Sequence, residues 1–166
     1  MFTTFFPNQE LSVQRTFSTK NFPDLKRSPH RRTLKMNSPR VLITGAASGL
    51  GRALAIRFAQ AGCRICVADI NAERAQETID AIDRTEGEGF FEQLNVTEKD
   101  AFARARLACE NVWGGIDILI NNAGVASGGP FDWLSEDDWD YVMDINFKGV
   151  LRGCQAFVPD FKTRKQ

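Results

Sequence analysis

Histidine and tyrosine, two side chains that often carry acid–base chemistry, are nearly absent from this 166-residue chain, which has one of each. His30 lies in a basic segment with no plausible partner nearby, so neither a histidine-centred catalytic site nor a metal site is predicted. No apolar stretch approaches the roughly 20 residues that a membrane-spanning helix needs. These absences disfavour histidine chemistry and a membrane span.

The four cysteines do not form a metal or redox motif. Cys63 and Cys66 have Cys-x-x-Cys spacing, but they span the loop into a predicted strand rather than a helix start or a zinc knuckle. Cys109 and Cys154 stand alone. We therefore expect buried, reduced thiols, no bound metal and a cytoplasmic location.

Charge is balanced overall, with 21 basic and 21 acidic side chains, but it is unevenly distributed. Residues 1–35 contain seven Lys or Arg against two acids, a net charge of about +5, and the remainder is acidic. This segment has no apolar period and is interrupted by prolines, so we expect residues 1–38 to be a disordered extension. A transit peptide or a basic nucleic-acid arm are alternatives; we favour a true start at Met36 and expect no nucleic-acid binding.

Short apolar strands alternate with amphipathic helices over residues 39–166, which is typical of a parallel sheet with right-handed crossovers. We predict a Rossmann-like, doubly wound α/β domain with strand order 3-2-1-4. Residues 118–120 are predicted to be fully buried, which is unusual at a sheet edge, so we expect a C-terminally truncated domain. The predicted strands are 40–44, 64–69, 90–95 and 117–121, and the predicted helices are 49–61, 72–85, 99–112 and one beginning at Ser135.

Two helix faces are predicted from the apolar period. In the first helix, four residues are predicted to lie on one apolar face: Leu50, Leu54, Phe58 and Ala61. In the third helix, three residues are predicted to face the core: Phe102, Ala105 and Cys109.

The most informative segment is the turn after the first strand, where glycines at 45, 49 and 51 have Gly-x3-Gly-x-Gly spacing. The first permits a tight turn, the second leaves room for a pyrophosphate, and the third lets the helix pack close to the strand. Amides at a helix start carry partial positive charge, which suits a phosphate. An ordinary strand-to-helix turn is the alternative. The predicted dinucleotide contacts are Gly45, Ser48, Gly49, Leu50 and Gly51.

Asp69 ends the second strand, near the distance from Gly45 at which a carboxylate accepts hydrogen bonds from an adenosine ribose. A carboxylate there repels a 2′-phosphate, and the neighbouring Ser48 and Ile70 are uncharged. This pattern favours NAD over NADP. The alternative is a helix N-cap, which an aspartate also forms well.

The glycine spacing after Thr44 resembles the Thr-Gly-x3-Gly-x-Gly motif of the short-chain dehydrogenase/reductase family, and later segments strengthen the resemblance. Asn95 and Val96 lie where the family usually has Asp-Val-Thr, which implies adenine contacts, with the Asn95 amide oxygen as acceptor. A strand-end cap is the alternative for Asn95.

Residues 121–124 are similar to the family's Asn-Asn-Ala-Gly signature, which implies that Asn122, Ala123 and Gly124 lie against the adenosine half of the cofactor. Asn121 is expected to tie neighbouring strands together, and a plain turn is the alternative. Asn146 matches the family's catalytic asparagine, which holds a water in a proton relay; an exposed helical asparagine is the alternative.

The resemblance implies an NAD(P)-dependent oxidoreductase that moves hydride between nicotinamide and a small alcohol or carbonyl substrate, with pairing of copies through the helix bearing Asn146 and the next one. The family's serine and Tyr-x3-Lys do not follow Asn146: the single tyrosine, Tyr141, precedes it and has Ile145 four residues later. We therefore expect the chain as given to be catalytically incomplete. A non-catalytic dinucleotide-binding module and an inactive truncated product are the alternatives.

Overall fold

The structure is a computed structural model that describes residues 38–164. The predicted extension at 1–38 lies almost entirely outside the described residues, so its disorder stays a prediction. The strands are β1 (Arg40–Thr44), β2 (Arg64–Asp69), β3 (Glu88–Gln93) and β4 (Ile118–Ile120). The helices are α1 (Gly49–Gln60), α2 (Ala72–Asp83), α3 (Ala101–Trp113), α4 (Glu136–Met143) and α5 (Gly149–Arg164), with a 3₁₀ turn at Phe131–Trp133 and a π-helical turn at Asp144–Lys148.

The four strands form one parallel sheet in the order β3-β2-β1-β4, which confirms the predicted topology. Val41 of β1 is paired with Ile65 of β2 on one side and with Ile118 of β4 on the other. Because the order reverses direction between β1 and β4, the carboxyl ends of these strands border a crevice, the usual position of a ligand in such a sheet.

Helices cover both faces of the sheet, as a doubly wound fold requires. Alternate residues of β1 and β2, such as Val41 and Ile65, pack against α1 and α2. The intervening residues, such as Leu42 and Cys66, pack against Phe102 of α3 and Phe157 of α5. The inward face predicted for α3 is confirmed, since Phe102, Ala105 and Cys109 are all buried.

The predicted face of α1 is wrong for two of its four residues. Leu50 is 68% exposed and Ala61 lies beyond the helix end, whereas the residues that α1 buries are Gly51, Ala55 and Ala59. Leu54 and Phe58 lie at the margin of this contact. Small side chains allow α1 to approach the sheet closely, so the largest apolar residues do not mark the buried stripe.

Several predicted boundaries also shift. Helix α2 ends at Asp83, and the left-handed residue after it is Glu86 (φ 57°) rather than a glycine. Strand β3 occupies Glu88–Gln93 instead of 90–95, because its pairing with β2 begins at Arg64 opposite Glu88. Helix α3 begins at Ala101 rather than at 99.

The predicted full burial of the fourth strand is wrong for the described residues. Strand β4 spans only Ile118–Ile120, and Ile118 is 37% exposed. Its only neighbour in the described sheet is β1, so one edge and part of both faces are uncovered. Among residues 38–164, no helix has both the length and the apolar character needed to cross a membrane.

Candidate functional site

A cavity of about 430 Å³ lies at the carboxyl edge of the sheet, where β1, β2 and β4 end. Ten of the predicted site residues line it: Gly45, Ser48, Gly49, Leu50, Asp69, Asn95, Val96, Asn122, Ala123 and Gly124. Segments as far apart as 45 and 124 therefore meet at one surface. Gly51 and Asn146 do not line the cavity and act behind it, as described below.

The glycine turn shapes the floor of this cavity. Gly45 and Gly49 have positive φ angles of 67° and 52°, which only glycine adopts without strain. A Cβ atom on Gly49 would meet no atom within 4 Å, because this residue faces the open space of the cavity. The turn thus leaves backbone, rather than side chain, exposed to a ligand.

Gly51 has a different role from Gly49. A Cβ atom at Gly51 would lie 2.2 Å from the carbonyl oxygen of Gly45 and 2.5 Å from Nδ2 of Asn122. Such distances are impossible for real atoms, so α1 can approach the ends of β1 and β4 only because position 51 is glycine. Ser48 begins α1 without its side chain capping the helix, and the first turn contains no acid. The first amides of α1 therefore keep their partial positive charge for an anion.

The end of β1 is joined to the segment after β4 by a hydrogen-bonded latch. The buried Thr44 hydroxyl accepts from the backbone N–H groups of Asn122 and Ala123, each at 3.0 Å. In return, Asn122 Nδ2 donates to the carbonyl oxygens of Thr44 (2.9 Å) and Gly45 (3.3 Å). The latch fixes the two sides of the cavity to each other.

The strand-tying asparagine is therefore Asn122, and the prediction for Asn121 is wrong. The Asn121 side chain points to the other face of the sheet, where its Nδ2 lies 3.8 Å from the sulfur of Cys154. Its Oδ1 is buried without a partner among the described residues and lies where a Cβ on Gly153 would be, at 2.3 Å. Neighbouring residues at a strand end point to opposite faces, so only one of the two can reach β1.

Asp69 lines the cavity and also braces the glycine turn. Its Oδ2 accepts from the Ala47 N–H at 2.9 Å, and its Oδ1 accepts from the Asn71 N–H at 3.0 Å. The cap of α2 is Asn71, whose side chain accepts from the Arg74 N–H, so the predicted alternative of Asp69 as that cap is wrong. Each carboxylate oxygen has a further lone pair with which to accept from a ligand.

Asn95 uses its side-chain oxygen within its own turn. Oδ1 accepts from both the backbone N–H (3.0 Å) and the hydroxyl (2.8 Å) of Thr97. The predicted acceptor for an adenine amino group is thus already occupied, and Nδ2 is the polar atom of Asn95 that donates to none of the described residues. Val96 beside it is buried and lines the cavity.

Asn146 lies in the π-helical turn between α4 and α5 and is fully engaged with the loop that follows β4. Its Oδ1 accepts from the Val125 N–H at 2.9 Å, and its Nδ2 donates to the Val125 carbonyl at 2.8 Å. The side chain therefore makes the two hydrogen bonds with Val125 that a neighbouring strand's backbone would make, and it fixes the loop beside Gly124. A π-helical turn also breaks the regular pairing of helix carbonyl groups, a feature frequent at functional sites.

Five residues that line the cavity were not predicted as contacts, although Ile70 was noted as an uncharged neighbour of the ribose position. The additional residues that line the cavity are Ile70, Leu94, Val125, Tyr141 and Ile145. Ile70, Leu94 and Val125 adjoin predicted site residues in sequence, which was the available signal. Tyr141 and Ile145 occupy successive turns before Asn146, and only the packing of α4 over the cavity reveals their place.

Comparison with known proteins agrees with this geometry. A family model described as short chain dehydrogenase matches residues 39–166. The chain is 36% identical over 126 residues to an uncharacterized oxidoreductase of Listeria innocua, covering 75% of this chain and 50% of that protein. It is also 36% identical over 118 residues to a 3-oxoacyl-[acyl-carrier-protein] reductase of Thermotoga maritima, covering 71% and 48%.

Among solved structures, the hydroxysteroid dehydrogenase from Escherichia coli superimposes with a TM-score of 0.73 at 30% identity, covering 79% of this chain and 55% of that one. The chain spans about half the length of the curated relatives it matches. The sheet order, the glycine turn and these matches lead to one conclusion: the chain belongs to the short-chain dehydrogenase/reductase family.

Proposed function

We propose that this chain forms the NAD-binding part of an oxidoreductase that transfers hydride between nicotinamide and a small alcohol or carbonyl compound. The observation that carries the proposal is a single cavity lined by the glycine turn, by Asp69 and by the segment Asn122–Gly124. Phosphate, ribose and base recognition require these three kinds of surface side by side. NAD supplies the hydride acceptor, and the residues of this chain bind and orient it.

In this proposal each part of the cofactor has its own partners. The pyrophosphate lies at Gly49 and the first amides of α1, because backbone N–H groups there carry partial positive charge. Asp69 accepts from the adenosine ribose hydroxyls. The base lies against Val96, and Asn95 donates through Nδ2 to a ring nitrogen, since its Oδ1 is held by Thr97.

NAD is preferred over NADP in this proposal because Asp69 is a carboxylate at the ribose position, while Ser48 and Ile70 provide no cation for a 2′-phosphate. Isothermal titration should give an affinity for NAD about tenfold above that for NADP, a difference of about 1.4 kcal/mol. The variant Asp69→Asn should reduce this ratio, because the repelling charge is removed. Asp80→Asn, on the exposed face of α2 beside Gln76, is the matched control. Equal or tighter binding of NADP by the unaltered chain contradicts the preference.

Asn146 contributes to catalysis through its backbone in this proposal. Its side-chain Oδ1 and Nδ2 are both hydrogen-bonded to Val125, and a π-helical turn leaves backbone carbonyl groups outside the regular helix pairing, so we assign the relay water to a carbonyl of that turn. The side chain instead keeps that turn in place against the loop after β4.

The proposed hydride transfer also needs a proton acceptor near the alcohol. The one tyrosine of these 166 residues is Tyr141, and the residue four positions after it is Ile145, where the family has lysine. General acid–base help is worth about 10²–10⁴ in rate. The 166-residue chain alone should therefore bind NAD without producing NADH from a panel of alcohols. If it forms NADH, and Gly49→Val abolishes the reaction, this assignment of roles is wrong.

A non-catalytic dinucleotide-binding module is the second candidate, since the glycine turn, Asp69 and the segment Asn122–Gly124 account for cofactor binding and not for proton transfer. The two candidates differ in one experiment: a Ser and Tyr-x3-Lys segment of a relative, joined after residue 166, should create activity if the bound cofactor is correctly oriented. In that chimera Asn146→Ala should lower turnover. A chimera that binds NAD but never turns over supports the module.

The proposal also includes a homodimer and a cytoplasmic location. The exposed apolar side chains of the π-helical turn and α5 support self-association: Phe147, Val150, Leu151 and Val158. They recur at helical spacing on one side, as a packed helix pair requires. Sedimentation should show a concentration-dependent dimer that Leu151→Glu disrupts.

A further inference from the structure

Arg152 of α5 connects two parts of the site that no sequence motif links. Its Nη1 donates to the carbonyl oxygen of Val96 at 3.0 Å and to that of Asp144 at 3.3 Å. Its Nη2 donates to the Asp144 carboxylate at 2.8 Å. The side chain is only 21% exposed, so its charge is largely removed from water and is balanced by Asp144.

The two segments that Arg152 joins are far apart in sequence, and both border the cavity through Val96 and through Ile145, the residue after Asp144. Val96 lines its base-binding end, next to Asn95. Asp144 is the first residue of the π-helical turn that contains Asn146, and Asn146 in turn holds Val125. Val96 is therefore connected to the loop after β4 by the hydrogen bonds of Arg152, by the short backbone segment from Asp144 to Asn146, and by the hydrogen bonds of Asn146.

Packing supports the same connection. Gly149, at the start of α5, lies so close to Val96 that a Cβ atom there would be 3.1 Å from Val96 Cβ and Cγ2. The backbone of α5 is thus pressed against the residue whose carbonyl Arg152 holds. Displacement of α5 has to move Val96 as well.

The chemistry of the link requires arginine. A guanidinium group presents several N–H donors in a fixed plane, so one side chain can serve a carboxylate and two carbonyl groups together. A lysine can keep the charge pair with Asp144, but its single ammonium group cannot occupy both donor positions.

We propose that Arg152 is a positioning residue for the base-binding end of the site: it holds Val96 and the Asn146 turn in one arrangement, so that occupation by an adenine nucleotide is transmitted to Val125. This rests on the proposed function, since it assumes that the cavity takes a nucleotide.

The test combines AMP binding with hydrogen exchange of the unmodified chain and of Arg152→Met. Loss of a charged donor to Val96 should weaken AMP binding about tenfold, close to the lower limit of what a hydrogen bond to a charged group contributes. Without ligand, amide exchange should accelerate both at residues 95–97 and at Val125. In the unmodified chain AMP should slow exchange at Val125; in Arg152→Met this protection should disappear.

Two variants separate positioning from simple stability. Arg152→Lys should retain most of the thermal stability while losing AMP affinity and the protection of Val125. Gly149→Ala, which keeps the arginine and displaces Val96, should weaken AMP binding as well. Arg106→Met, which removes a 3.4 Å pair with Asp160 elsewhere on α5, is the control and should leave both readouts unchanged.

The outcomes are distinguishable. If the unmodified chain does not bind AMP, the proposed function fails, while the exchange rates without ligand still test the link. The positioning role is refuted if Arg152→Met and Arg152→Lys bind AMP within twofold of the unmodified chain. It is also refuted if these variants accelerate amide exchange at residues 95–97 and at Val125 no more than Arg106→Met does.

Discussion

Gly49 and Gly51 lie two residues apart in one motif, yet the structure predicts opposite consequences for their replacement by alanine. At Gly49 the added methyl group meets nothing within 4 Å, and the only penalty to folding is the positive φ of 52°. A left-handed alanine costs about 1–2 kcal/mol, and the stiffer unfolded chain offsets about 0.4–1 kcal/mol. Gly49→Ala should therefore lower the free energy of unfolding by only about 1 kcal/mol.

At Gly51 the methyl group would lie 2.2 Å from the Gly45 carbonyl oxygen, so α1 has to move away by about 1 Å to restore ordinary contact. Overpacking of this kind costs about 1–3 kcal/mol. The shift also loosens the hydrogen bonds of Asn122 Nδ2, worth about 0.5–1.5 kcal/mol each, while better helix propensity returns about 1 kcal/mol. Gly51→Ala should be destabilised by about 2–3 kcal/mol.

Urea unfolding and isothermal titration with NAD measure the two effects separately. Gly49→Ala should remain folded and lose at least about tenfold in NAD affinity, because its methyl group enters the space of the proposed pyrophosphate. Gly51→Ala should lose stability first, with a fall in Tm of about 4 °C for each kcal/mol. We assign Gly49 to ligand binding and Gly51 to folding. This assignment is refuted if Gly49→Ala binds NAD normally, or if Gly51→Ala is as stable as the unaltered protein.

Three further predictions concern single side chains. Thr44→Val leaves two backbone N–H groups without their acceptor and should lower the free energy of unfolding by about 2–4 kcal/mol in urea titration; a loss below about 1 kcal/mol contradicts the latch. Burial raises the pKa of Glu92 in the fold, against the influence of Arg104, so its ionisation lowers stability as the pH rises above the ordinary glutamate pKa, and fully so above the raised pKa. Glu92→Gln should therefore raise Tm at pH 7, and the gain should vanish below the ordinary glutamate pKa of about 4.3; a constant gain across pH refutes this cause. Burial also raises the pKa of the Cys66 thiol, and Cys109 is fully buried beside it. A thiol reagent should therefore modify the half-buried Cys154 before Cys66 and Cys109, which should react only on unfolding.

The sheet could be predicted from sequence because its central strands are continuous apolar runs with clear ends. Strands β1 and β2 begin and end where predicted, at Arg40–Thr44 and Arg64–Asp69. Ser135 was likewise recognisable as a helix start, and it forms a capping box with Asp138. Local signals of this kind need no knowledge of the neighbouring elements.

The errors arise where the outcome depends on contacts between distant segments. The buried face of α1 is decided by how closely Gly51 approaches Gly45, which apolar periodicity does not report. The choice between Asn121 and Asn122 depends on the residue at which β4 ends, since one residue of shift turns a side chain to the opposite face. The occupied Oδ1 of Asn95 depends on the tight turn to Thr97, although the Asn-x-Thr order was visible.

A common property of the motif side chains explains why motif residues alone do not define ligand contacts. Asp69, Asn95, Asn122 and Asn146 all use their polar atoms on the protein's own backbone or on a neighbouring side chain. Their first effect is to hold the turns after β1, β2, β3 and β4 in shapes that glycine and backbone N–H groups can present to a ligand. A substitution at any of them thus changes a turn as well as a contact. Gly49 faces only the cavity, whereas Gly51 faces only the protein. For this reason substitutions of these two glycines separate effects on ligand binding from effects on folding more cleanly than substitutions of the polar residues do.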